Sequence, residues 1–132
     1  MTDLIEVKTC ELQGEALGWA VGKAEGLDVF LAPPEYGNPW RVFARYQGQA
    51  IEHTKRYNPW ENWALGGPLI DRLQVEILRS GPVVHAKLYG LTNAAGAGDS
   101  ALIAACRAIV AAKLGDTVQV PKELIGKEAP DD

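Results

Sequence analysis

The sequence predicts an α+β fold: one compact domain built on a mainly antiparallel sheet and two principal helices, about 11–25 and 100–114. Three observations carry that expectation. Two segments place apolar side chains at the 3.6-residue period and end at glycine. Several short segments alternate apolar and polar residues, or are rich in branched ones, between Gly- and Pro-containing turns. The 132 residues, 47% hydrophobic and 23% charged, suit a single autonomous core. The domain is expected over residues 1–125, with an acidic, frayed tail over 126–132.

Along the chain, Leu4–Lys8 alternates and reads as a strand. In the first helix, Leu12, Ala16, Leu17, Ala20, Val21 and Ala24 share one stripe, Thr9 or Cys10 lies near the N-cap, and Gly26 supplies a left-handed end. Gly14, Gly18 and Gly22 recur on one side of it, each costing ~1 kcal/mol of helix stability relative to Ala. A groove for a close-packed neighbour is the simplest reason for them. Asp28–Ala32 reads as a strand and Tyr36–Pro39 as a turn. In the Trp40–Tyr46 strand, Trp40, Val42 and Ala44 face one way, and Arg41, Phe43 and Arg45 the other.

Gln47–Asn58 is polar and has no clear period. Tyr57–Trp63 reads as a loop with a helical turn from Pro59, Gly66-Gly67-Pro68 as a break, and Leu69–Arg72 as a helical turn. Leu73–Leu78 and Val83–Tyr89, joined at Ser80-Gly81-Pro82, form a hairpin pattern. Thr92–Gly98 reads as a flexible loop. The second main helix follows, capped by Asp99 or Ser100 and ended by Gly115. Thr117–Val120 reads as the last strand.

The net charge of −4 argues against broad attraction to duplex nucleic acid or to an anionic membrane surface. No apolar run reaches the ~20 residues of a membrane span, and the acidic start does not resemble a signal peptide. A cytoplasmic protein with reduced thiols is therefore expected, with Cys10 and Cys106 as small buried hydrophobes. His53 and His85 have no zinc-site spacing, and no metal or cofactor is expected.

The candidate site lies in residues 32–68, which hold seven of the ten aromatic residues. Four bases, Arg41, Arg45, Lys55 and Arg56, face three acids there, a charge of 4 − 3 = +1 in a chain of −4. Aromatic faces beside guanidinium groups suit a planar anionic ligand; the same residues also suit a small core and its covering loops. Trp19, Tyr46 and Trp63 favour the core, whereas Trp40 and Trp60 lie in or beside loops. Arg107 is either a solvated side chain or an anion clamp at a pocket edge. Ala104, Ala105, Ala108, Ala111 and Ala112 give its helix a second smooth face. Gly96-Ala-Gly98-Asp-Ser-Ala101 matches a loose dinucleotide fingerprint, but Asp99 stands where phosphate would bind, so a loop with an N-cap is the better reading.

Three blocks, Leu12–Gly26, Tyr57–Ile70 and Ala104–Asp116 followed by Val118, Val120 and Pro121, resemble the phage NinX-like family of small proteins of unknown function. Members often have Ser after the Tyr-x-Pro, where this chain has Trp60. The resemblance implies a phage origin, a host-cytoplasm location and an accessory role. Together these features lead to an expected non-enzymatic binder of a small nucleotide-like ligand, resembling a counter-defence sponge. Trp60 and Trp63 would stack the base and Arg56 or Arg107 would hold phosphate. Tyr57, Pro59 and the Gly66-Gly67 turn would complete a site between subunits of a homo-oligomer. The alternatives are a module that docks a protein through exposed aromatics, and a small phosphohydrolase using Glu52, Glu61 or Asp71 around a metal.

Overall fold

The computed structural model describes residues 3–47, 52–90 and 94–125. Among these residues eight strands and three α-helices run in the order β1 (Leu4–Lys8), α1 (Gly14–Ala24), β2 (Asp28–Ala32), β3 (Arg41–Gln47), β4 (Glu52–Arg56), α2 (Trp63–Arg72), β5 (Val75–Ser80), β6 (Val83–Leu88), β7 (Ala95–Gly98), α3 (Ala101–Leu114) and β8 (Thr117–Pro121). All strand pairs among the described residues are antiparallel and form three sheets: β1-β8, β2-β3-β4 and β5-β6-β7. The α+β class follows, with α2 added to the two principal helices.

Helix α3 is the centre of the molecule. It packs on β6 and β7 on one side and on α1 on another, and α1 in turn meets β2, β3 and β8. Leu12, Leu17, Val21, Val42, Ile109, Val110 and Val120 are fully buried at these junctions. The alanines of α3 serve the same end, since Ala104, Ala105 and Ala108 are buried. Ser100 caps α3, its hydroxyl accepting from the Ile103 amide at 3.2 Å, and Gly115 ends it at φ 97°.

Several elements depart from the sequence reading. Helix α1 starts at Gly14, because Thr9–Glu11 forms a 3₁₀ turn; Thr9 donates to the Gly115 carbonyl at 2.6 Å instead of capping. Gly66-Gly67-Pro68 is no break: it lies inside α2, whose N-cap Asn62 accepts from the Ala64 amide at 2.9 Å. Pro68 costs that helix an amide donor. Gly66 is required because a Cβ there would fall 2.5 Å from Leu102 Cδ2 and 2.7 Å from the Pro59 carbonyl oxygen.

The polar 47–58 segment contains β4, an outer strand whose His53, Thr54 and Lys55 are exposed. The small 92–98 segment contains β7. It crosses α3 so closely that a Cβ on Gly96 would lie 2.5 Å from the Ala104 carbonyl oxygen and the Ala108 amide nitrogen. Those glycines allow helix–strand packing, not a phosphate loop. Cys106 is buried as expected, but Cys10 is exposed. Trp63, placed with the core on sequence grounds, is 60% exposed at the start of α2. The tail over 126–132 lies outside the described residues.

Candidate functional site

The first turn of α1 carries Glu15 towards β3 and β4. There the Arg56 guanidinium grips the carboxylate with both terminal nitrogens, Nη1 donating to Oε1 at 3.0 Å and Nη2 to Oε2. Arg56 Nη1 also donates to the Val42 carbonyl at 3.2 Å, and the Val42 amide donates to Glu15 Oε1 at 2.9 Å. Helix and sheet are thus joined by one charge-assisted node. The guanidinium lies 5.7 Å from the ring centroid of Trp60, over its face.

Next to this node is a cavity of about 460 Å³, within the usual range for small-molecule sites. Trp40 and Trp60 supply its aromatic walls, with Glu15, Glu123, Ile103 and Leu124 among the other lining residues. Glu123 stands in the 3₁₀ turn after β8, and its Oε1 is shut off from solvent with no hydrogen-bond partner among the described residues. Two carboxylates, Glu15 and Glu123, therefore line the cavity, and Arg56 stands behind the first of them as its ion-pair partner.

The glycine groove of α1 explains why Trp60 sits here. A Cβ at Gly18 would collide with the Trp60 ring and lie 3.0 Å from the Tyr57 carbonyl oxygen, and one at Gly22 would collide with Val29 beside the Tyr57 ring. The close-packed neighbour expected from the glycine spacing is therefore the Tyr57–Trp60 segment together with β2. Tyr57 is only 3% exposed, and Pro59 is fully buried. Burial pushes the Tyr57 phenol up, and the nearby Tyr46 and Glu25 add to the shift.

The residues proposed from sequence do not share one cavity. Arg56 and Trp60 meet at the cleft, while Tyr57 and Pro59 lie beneath it in the core. Gly66 packs under Leu102, and Gly67 has the Trp63 ring 3.5 Å from where its Cβ would be. Arg107 is elsewhere, at a second cavity of about 550 Å³ that includes Lys8, His85 and Asp116. Its Nε donates to the Leu12 carbonyl at 2.8 Å and its Nη1 to the Ala97 carbonyl at 2.6 Å, so it ties β7 to the start of α1. Glu61 and Asp71 are exposed away from the cleft; Glu61 Oε2 accepts from the Asn58 side-chain amide at 3.0 Å. The side chain of Glu52 lies outside the described residues. Among the described residues no cluster of three His, Cys, Asp or Glu is placed to hold a metal.

Sequence reasoning missed Glu15 and Glu123. Glu15 was detectable: positions 15, 18 and 22 follow helical spacing, which puts the carboxylate at the head of the glycine groove. Glu123 had no such signal, because only the pairing of β8 with β1 fixes the turn that carries it.

Among the described residues no helix is long and apolar enough to cross a membrane. No curated protein matches the chain. A family profile described as Bacteriophage P22, NinX matches residues 8–113, which include the glycine groove, the Tyr57–Trp60 segment, α2 and nearly all of α3. The chain belongs to this NinX family of phage proteins.

Proposed function

We propose that this phage protein is an accessory factor of the infected cell's cytoplasm that binds a small, planar, nucleotide-like ligand in the Trp40–Trp60 cleft. By holding the ligand it lowers the free concentration, as a sponge for a host signalling nucleotide does. The observation that carries the reading is the 460 Å³ cavity with two indoles on its wall and a fixed ion pair beside it. Stacking of a base on an indole contributes ~1–3 kcal/mol, and a wall already held by the fold loses little entropy on binding. The test is calorimetric titration with cyclic nucleotides and ADP-ribose derivatives, with the ligand recovered and chromatographed afterwards. Binding that quenches tryptophan fluorescence, weakens in Trp40→Ala and returns the ligand intact supports the reading. Absence of heat with every compound at high micromolar concentration removes it, and a converted ligand favours a hydrolase.

A second reading, association with another copy or another protein, is favoured by the uncovered face of β5-β6-β7. Leu78 is 70% exposed there, beside His85 and Ala97, and Val83 is also exposed on this face. The face carries both Glu76 and Lys87, whose charged atoms lie 3.9 Å apart, so it can complement itself. Light scattering of the wild type and of Leu78→Glu tests this, with a dimer reverting to monomer as the expected outcome.

A further inference from the structure

We infer that the cavity of about 550 Å³ around Arg107 is a second binding site, separate from the Trp40–Trp60 cleft, and that it takes a small monocarboxylate with an apolar body. The inference goes beyond the reading above and stands independently of it. It starts from an unbalanced charge. Arg45, Arg56 and Arg72 each meet a carboxylate. Arg107 meets none among the described residues. Its Nε and Nη1 donate to the Leu12 and Ala97 carbonyls, which fix the guanidinium without neutralising it. Its Nη2 has no partner among the described residues and is not sealed from solvent. The side chain is half-buried, so water compensates its charge only in part, and an anion entering the cavity supplies the remainder. Lys8 lines the same cavity and likewise has no ion pair among the described residues. Asp116 lines it too but pairs with neither cation. The local charge is therefore 2 − 1 = +1 with His85 neutral, in a chain of −4.

The remaining chemistry narrows the anion. A carboxylate carries one negative charge and matches the local +1, whereas a phosphate monoester carries about −1.5 to −2 at pH 7 and leaves an excess beside Asp116. One guanidinium nitrogen is left for a ligand, with the Lys8 ammonium as the second cationic donor on the wall. That supply suits two oxygens better than three. The walls choose the rest of the molecule. No Phe, Trp or Tyr lines this cavity, so a nucleobase finds no ring to stack on. Ala95, Ala97 and Ala111 present methyl groups instead, which favour a hydrocarbon body. The volume lies within the usual range for small-molecule sites.

The test uses Cys10, whose exposed thiol lines the cavity, as the reporter. Its labelling by uncharged iodoacetamide is timed on the full chain with benzoate, its neutral isostere benzamide, or phenyl phosphate, each at ~10 mM and at constant ionic strength. Benzoate is expected to slow labelling at least ~3-fold, with phenyl phosphate weaker and benzamide without effect. In Lys8→Gln, an exposed position, the benzoate concentration needed for half protection should rise at least ~3-fold. Protection should be unchanged in Trp40→Ala, which alters the other cleft. Equal protection by benzoate and benzamide, or stronger protection by phenyl phosphate, overturns the monocarboxylate assignment. No protection by any of the three overturns the site itself, and leaves the Trp40–Trp60 reading to its own nucleotide titration. The ranking of the three compounds on the wild type decides the inference even where a variant folds poorly.

Discussion

Glu15 shows how much a single side chain can be asked to do. Its two oxygens hold Arg56 and the Val42 amide, and its own side chain is 15% exposed, so little water screens the pair. Replacing one partner leaves the other half-buried and unmatched, which costs more than the pair itself is worth. Glu15→Ala is therefore expected to lower stability by about 2 kcal/mol in urea titration, and Arg56→Leu added to it to cost less than the two separate losses combined. The thiols differ in the same local terms. Cys10 is exposed, whereas burial pushes the Cys106 thiol up to about 12. A thiol reagent near neutral pH should modify Cys10 in the native protein and reach Cys106 only in denaturant. Equal labelling rates would contradict that environment. At this scale the sequence was partly legible. Trp60, Arg56 and Cys106 stand out by type and neighbours, but Arg107 could not be resolved, because its partners are backbone carbonyls 95 and 10 residues away.

Among the elements, α1 and α3 were legible because their periodic stripes and end signals agree with the tertiary environment. β4 and β7 were not. β4 is an outer strand of polar residues held by its pairing with β3, and β7 is Ala-Gly-Ala-Gly, with no side chain large enough to register a period. Helix α2 was hidden for the opposite reason: its glycines and proline are poor helix formers retained for packing, so local propensity pointed the wrong way. Its two glycines give opposite predictions. Gly66→Ala pushes a methyl into Leu102 and the Pro59 backbone and should destabilise by ~1–3 kcal/mol despite the better propensity. Gly67→Ala meets only the Trp63 ring at ordinary contact distance and should stabilise by up to ~1 kcal/mol. Thermal denaturation of the two variants decides it, and a shared sign would refute the packing assigned to α2. Ser100→Ala, which removes the α3 cap, should cost ~1 kcal/mol by the same assay.

For the whole molecule, the sequence conveyed class and composition but not which sheet each strand joins, since partners such as β1 and β8 stand at opposite ends of the chain. The global consequence of burying titratable groups can be measured. Cys106 has an ordinary value of 9.0 and is held near 12 in the fold, while Tyr57 is raised by burial. Between about pH 9 and 12 the unfolded chain therefore binds fewer protons than the native one, and stability present below that window is lost as pH rises through it. Urea midpoints should fall from about pH 9 upward, with a shallower fall in Cys106→Ala.

The pairing of Leu4–Lys8 with Thr117–Pro121 also sets a schedule. During translation Leu4–Lys8 emerges well before its partner and waits unpaired until the residues up to Thr117–Pro121 have been made. Closure of this clasp is thus a late event that a ribosome-bound fragment cannot complete. Chains halted before Thr117 should stay protease-sensitive on the ribosome, and resistance should appear only once Thr117–Pro121 has left the exit tunnel.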